Sequence, residues 1–439
     1  MMSAFRGLTM RSLRLQQGKV LALLFAGYGA LYFCRADLSV GAPLIIDELT
    51  RHGMKHDAAV VRIGTIASLG VLAYALGKLF LGGLGDYWGG RVSFLIGLAG
   101  ATVFTLQFAA GSTAAVFMFA WFGNRLTQSL SWAGLIKVSS KWFDYSSYGM
   151  ILGILSLSYL IGDAGARQSM GMLIARGSSW QTLFCYAAAV TGVLFAANWF
   201  LLRESRRDSG FSEAKTNPRN LFASAESRVP SVRALLGPLL RSRAFLLVCA
   251  LSLGCTIVRE TFNIWTPVYL RDYLGYSASD AAGTSAIFPT VGAVSVLLSG
   301  WLSDRLGSNG RALILFVGLA ASVAALLTLM TLRSGGPHSP YPLVLIGTVA
   351  FCLLGPYSYL GGAFALDFGG KQASAVSSGI IDGVGYMGAV VAGDSVGRIS
   401  VAAGWQAVFI VLAAVSAIAA VGAGFLYFMG SKPSERVES

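Results

Sequence analysis

Residues 312–332 run without a single charged side chain. As a helix rising 1.5 Å per residue, such a stretch matches the roughly 30 Å hydrocarbon core of a bilayer. Stretches of similar length and apolarity lie near residues 20–46, 62–85, 91–111, 114–140, 147–173 and 180–202. A second set lies near 244–271, 280–303, 311–332, 341–365, 373–397 and 404–430. Composition agrees, since 55% of the 439 residues are hydrophobic and only 12% charged, about half the charged share of an average soluble domain. A water-soluble enzyme is excluded, and an all-α membrane protein with twelve transmembrane helices is predicted. The formal net charge of +13 raises nucleic-acid binding, but the basic residues concentrate in loops and one linker, as in segments that face the cytoplasm. No nucleic-acid partner is expected.

Residues 203–243 are polar, rich in Arg and Ser, and contain Pro218, Pro230 and Pro238. They read as a cytoplasmic linker between an N-terminal six-helix bundle, 1–202, and a C-terminal one, 244–439. An even number of spans puts both termini on one side, and most loop Lys and Arg then make that side cytoplasmic. The expectation is a monomer in the inner (cytoplasmic) membrane. The five cysteines sit in apolar segments without metal-ligand spacing, and no P-loop appears, so no metal, cofactor or enzymatic activity is expected.

The halves echo each other. Trp180-Gln181-x-x-Phe184 returns 225 positions later as Trp405-Gln406-x-x-Phe409, and Arg35 returns after 224 positions as Arg259. Asp86, in GGLGDYWGGR with Arg91, has a counterpart in Asp304, in SGWLSDRLGSNGR with Arg311. These four residues are candidate gating-loop positions. Duplication predicts two pseudo-symmetric six-helix bundles that hold a ligand near the bilayer midplane and rock to expose it alternately. The polar turn after the second helix of each half resembles the hallmark loop of the major facilitator superfamily.

An ionised side chain inside a span costs on the order of 3 kcal/mol and stays where it meets partners, water or ligand. Arg35 and Arg259 lie near the middle of their spans, one in each half, and two guanidiniums make a forked clamp for a phosphate or carboxylate group. Asp37 and Glu260 follow them by two and one positions, a spacing at which helix neighbours point apart, so neither acid is expected to pair with them directly. Lys78 either adds a third positive charge to the cavity or snorkels to the surface. Asp163 and Arg167, at i,i+4, read as an internal ion pair, with titration of Asp163 as the alternative. Arg125 is a candidate for an interhelical pair with Asp382 or Asp394. Tyr28 and Tyr32 share a helix face with Arg35, and Trp132 and Tyr386 are further candidates to line the site.

These residues carry a resemblance to the organophosphate:phosphate antiporter family, which includes glycerol-3-phosphate and hexose-phosphate transporters. Its most specific part is the helix-seven pattern of Arg259, Trp265, Pro267, Tyr269 and Leu270. Gly27-Tyr28, Tyr32, Arg35, Gly77-Lys78, Gln128, Trp132, Lys137, Gly355-Pro356 and Gly385-Tyr386 with Gly388 also fall in place. The resemblance implies that Arg35 and Arg259 hold a phosphate, that Lys78 assists, and that organic phosphate exchanges for inorganic phosphate. The chain departs from the family at Tyr159, where glycerol-phosphate members carry His, and at Asp163 and Asp382, where glycine is usual. Such acids repel phosphate unless paired, so a zwitterionic phosphate or phosphonate, or proton coupling, enters the expectation. Helix one also resembles that of proton-coupled carboxylate symporters, and a transporter-like membrane sensor is a third reading.

Overall fold

In the computed structural model, residues 2–81, 88–144, 148–214, 239–332 and 339–431 are described, and among them the secondary structure is helical. The helices are α1 (Met2–Leu31), α2 (Phe33–Arg51), α3 (His56–Leu81), α4 (Gly90–Ala109), α5 (Ala114–Trp142), α6 (Tyr148–Ala175) and α7 (Trp180–Leu201). After the linker come α8 (Arg243–Val268), a π-helical turn over Tyr269–Tyr273, α9 (Ala278–Thr284), α10 (Ile287–Thr331), α11 (Tyr341–Tyr357) and α12 (Ala365–Ser431). Eight helical stretches among the described residues are long and apolar enough to cross a membrane, one of them the 51 residues Gly379–Met429. α5 and α6 carry the intramembrane charges Arg125, Lys137, Asp163 and Arg167.

Elements and spans do not map one to one. α12 has 67 residues, about 100 Å if straight, which is more than two crossings. Gly404 divides it with φ 78°, a left-handed conformation that costs a residue with a Cβ about 1–2 kcal/mol. The chain turns there and restarts at Trp405. Conversely, the first span is two elements, broken at Tyr32, whose N–H bonds to the Gly29 carbonyl (3.0 Å) in a tighter 3₁₀ step.

The chain forms two compact units. The first comprises residues 1–44 and 69–223, the second 45–68 and 224–439. In the first, Gly29 of α1 and Gly162 of α6 meet backbone to backbone, leaving no room for a side chain. Trp180 and Phe184 open α7 against Phe108 and Phe117, with Phe108 and Phe184 stacked at 4.6 Å. The second unit repeats the device, Trp405 and Phe409 packing on Tyr269 at 5.3 and 5.1 Å. The Trp-Gln-x-x-Phe repeat is thus a packing anchor at a helix start in both units.

Within the second unit, residues 45–68 are fastened to the rest by polar contacts. Arg271 Nη2 meets Asp47 Oδ2 at 2.5 Å and His56 lies 3.7 Å from Asp272. The Thr65 hydroxyl donates to Asp394 (2.7 Å) and that of Ser68 to the Val390 carbonyl (2.6 Å).

Candidate functional site

The first unit gathers a cationic cluster around one aromatic ring. The break at Tyr32 places Arg35 in the first turns of α2, where its Nε donates to Gln128 Oε1 (2.6 Å) and its Nη1 to the Tyr32 hydroxyl (3.1 Å). Gln128 is itself held, its amide donating to Asn124 Oδ1 (2.6 Å) and to the Cys34 carbonyl (3.3 Å). This chain of bonds orients the Arg35 fork. The guanidinium lies over Tyr74, 4.5 Å from the ring centroid, and the same ring meets Lys78 at 5.2 Å and Arg125 at 5.2 Å. Three cations around one buried ring repel one another, and cation–π attraction offsets that repulsion only in part.

Small residues on α3 make the cluster possible. A side chain at Gly70 would strike Trp121 and the stem of Arg125, and one at Gly77 would strike Ser129, so α3 and α5 approach closely at both levels. Lys78, for which a cavity position and a surface position were both open, extends along Tyr74.

The predicted aromatics meet in the same unit. Tyr28 contacts Tyr32 (5.9 Å) and Trp132 (5.1 Å), and Tyr32 contacts Tyr159 (5.5 Å). Together they form a wall contributed by α1, α5 and α6 beside Arg35. Asp163 and Arg167 are buried and paired through Nε at 3.1 Å on α6.

In the second unit Arg259 sits over Tyr357 (4.6 Å) and Tyr386 (5.7 Å), and its Nη2 reaches the Tyr386 hydroxyl at 3.5 Å. One expectation is overturned here. Glu260 does pair with Arg259, its Oε1 accepting from Nε (3.0 Å) and Nη2 (2.6 Å). Divergent Cβ directions do not prevent this, because two long side chains can fold back along the helix and meet beyond the backbone. Asn263 donates to the same oxygen (3.3 Å). The other residues of the Arg259 pattern, on α8 and the π-helical turn after it, act in packing, for Trp265 donates to the Ala392 carbonyl (3.0 Å) and Tyr269 and Leu270 are buried.

Asp394, one of the two acids considered for Arg125, has partners within its own unit. Asp394 is taken up by Arg398 one turn on (2.6 Å) and by Thr65, while Asp382 faces Gly361. Arg125 acts electrostatically on Asp37. Of the gating-loop candidates, Asp86 and the side chain of Asp304 lie outside the described residues. Arg91 caps the end of α7, donating to the Leu202 and Trp199 carbonyls, while its own N–H and that of Gly90 bind Glu204 at 2.6 and 3.0 Å. Arg311 opens the second half of α10. Tyr74, central to the cluster, and Asp37, on which Arg125 acts, were not singled out as site residues. The signal for Tyr74 was its spacing, four residues before Lys78 and so one turn away on the same face.

Comparisons with known proteins agree with this architecture. Residues 24–393 match the family model described as Major Facilitator Superfamily. A probable hexose phosphate transport protein of Chlamydia trachomatis is 26% identical, covering 91% of this chain and 88% of its own. The glycerol-3-phosphate transporter of Bacillus subtilis is 22% identical over 86% of this chain and 84% of its own. The glucose-6-phosphate exchanger SLC37A2 of Bos taurus is 24% identical, with 81% and 79% covered. Among solved structures, a bacterial homologue of the human lysosomal transporter Spinster, inward-facing and unoccupied, superposes with TM-score 0.76 at 14% identity, covering 96% of this chain and 99% of that one. That likeness concerns the fold.

Proposed function

Because this chain belongs to the Major Facilitator Superfamily, we propose that it is a secondary transporter that carries an organic phosphate across the cytoplasmic membrane in exchange for inorganic phosphate. The observation that carries this reading is the grouping of Arg35, Lys78 and Arg125 around Tyr74 with Gln128 fixing the Arg35 fork. A phosphate dianion needs several charges and directional N–H donors at once, and a planar guanidinium supplies two parallel bonds to it. Tyr28, Tyr32, Trp132 and Tyr159 line this site, and Arg259 with Tyr386 forms a separate candidate binding group within the second unit. The relatives named for hexose phosphate, glycerol-3-phosphate and glucose-6-phosphate support the substrate class.

No bond of the substrate is made or broken. The protein supplies two binding units whose relative movement exposes the ligand to alternate sides, and tight association with phosphate in both directions links uptake to release. It works as a monomer with both termini in the cytoplasm.

The test is exchange in proteoliposomes. Vesicles loaded with inorganic phosphate take up labelled phosphate, glycerol-3-phosphate or glucose-6-phosphate, and Arg35→Lys abolishes uptake while expression persists, because an ammonium cannot reproduce the fork. Absence of homologous phosphate exchange over a wide concentration range would overturn the proposal in favour of a carboxylate substrate.

A further inference from the structure

Asp37 is fully buried on α2, two residues beyond Arg35. Its Oδ1 accepts the backbone N–H of Leu38 at 2.7 Å, and its Oδ2 is buried with no hydrogen-bond partner. An ionised carboxylate with an unsatisfied oxygen inside a membrane protein is costly, and binding a proton removes most of that cost. The charged group acting on it from a neighbouring helix is Arg125 of α5, which also lies at the Tyr74 ring. Cys34, one turn earlier on α2, is a titratable group on which Asp37 acts. Arg35 and Lys78 share the Tyr74 ring with Arg125.

We propose that Asp37 is a proton-binding site coupled to phosphate binding in the first unit. This assignment rests on the phosphate-carrying reading above and adds to it a second transported or exchanged species, the proton. The coupling follows from charge. With Asp37 ionised, its negative charge offsets one of the three cations; with Asp37 protonated, Arg35, Lys78 and Arg125 act on the anion undiminished. A proton and a phosphate therefore bind cooperatively, and by linkage phosphate binding draws a proton onto Asp37 to the same extent. The step is a proton transfer from hydronium in the bulk solvent: its O–H bond breaks, leaving water, and an Oδ2–H bond forms. Asp163, read from the sequence as an ion pair with Arg167 and alternatively as a titrating group, is engaged by Arg167.

Two measurements on the purified full-length protein test this. In infrared difference spectra, addition of inorganic phosphate at constant pH raises the carbonyl-stretch band of a protonated carboxyl group. Asp37→Asn removes that band and Asp37→Glu shifts it. In weakly buffered solution, phosphate binding by the wild type takes up more protons than binding by Asp37→Asn, the substrate's own ionisation being common to both. Lowering the pH tightens phosphate binding by roughly tenfold more in the wild type than in Asp37→Asn, as expected for one unit charge near the site. If Asp37→Asn fails to fold, the Asp37→Glu shift and the wild-type proton uptake still decide. A phosphate-induced band unaffected by either substitution, or no band at all, overturns the assignment. The two proposals separate cleanly: phosphate exchange without an Asp37 band leaves the transporter reading standing and removes the proton site. A titrating Asp37 band in a protein that shows no exchange does the reverse.

Discussion

At the scale of single residues, the site depends on how a permanently charged group is aimed. Gln128 takes the Nε–H of Arg35 and is itself gripped by Asn124, so the guanidinium plane is fixed before any ligand arrives. Replacing Gln128 by Leu removes that acceptor with little change in volume and leaves a charged donor unpaired, at a cost of about 1.5–3 kcal/mol. The expected outcome is a loss of roughly tenfold or more in phosphate affinity by isothermal titration, with the thermal unfolding midpoint lowered by only a few degrees. Equal affinity in the variant would mean that Arg35 is oriented by its aromatic contacts alone. Arg35, Tyr28 and Tyr32 were legible in the sequence because spacing on one helix predicts a shared face. Tyr74 was not singled out, since its role arises where α2, α3 and α5 converge, and one of sixteen tyrosines carries no mark of that. Glu260 was misjudged for a related reason: backbone direction predicts where a side chain starts, and long side chains end elsewhere.

At the scale of elements, the apolar periodicity located the spans, because a bilayer demands length and hydrophobicity in the sequence itself. It did not locate the break at Tyr32 or the grouping of residues 45–68 with the second unit, which depend on contacts made by distant segments. That grouping rests on a few polar links, of which Arg271 with Asp47 is half-exposed on its acidic side, 42%. Exposed pairs are worth about 0–1 kcal/mol, so this link is suited to opening and closing under small forces. Val60, buried in the same segment, offers a reporter. In a background with Cys185 and Cys352 replaced by Ser, Val60→Cys is expected to react with a water-soluble maleimide several-fold faster when Asp47→Arg is added. Combining that with Arg271→Asp is expected to restore the slow rate. A swap that fails to restore protection would show that the ion pair does not hold the segment.

At the scale of the whole molecule, duplication produced two halves of similar architecture and different charge. The first unit sets Arg35, Lys78 and Arg125 against Asp37, whereas in the second the guanidinium of Arg259 is already bonded to Glu260, with Asn263 donating to the same oxygen. A neutral pair flanked by the Tyr357 and Tyr386 rings attracts an inorganic dianion less than a bare guanidinium does. Glu260 then acts as a built-in rival for the ligand, because any phosphate oxygen that binds Arg259 through Nε and Nη2 must displace it. Glu260→Gln keeps the shape and an acceptor oxygen while removing the negative charge, so Arg259 becomes available to anions. Inorganic phosphate is expected to bind several-fold tighter to this variant, and organic phosphate to gain by the same factor so that the preference between them is unchanged, because the gain in charge is shared by every phosphate while the contacts to the organic part are unaltered. Competition of both ligands against labelled phosphate measures the two affinities side by side. Weaker inorganic phosphate binding in Glu260→Gln would show that the carboxylate orients Arg259 for the ligand.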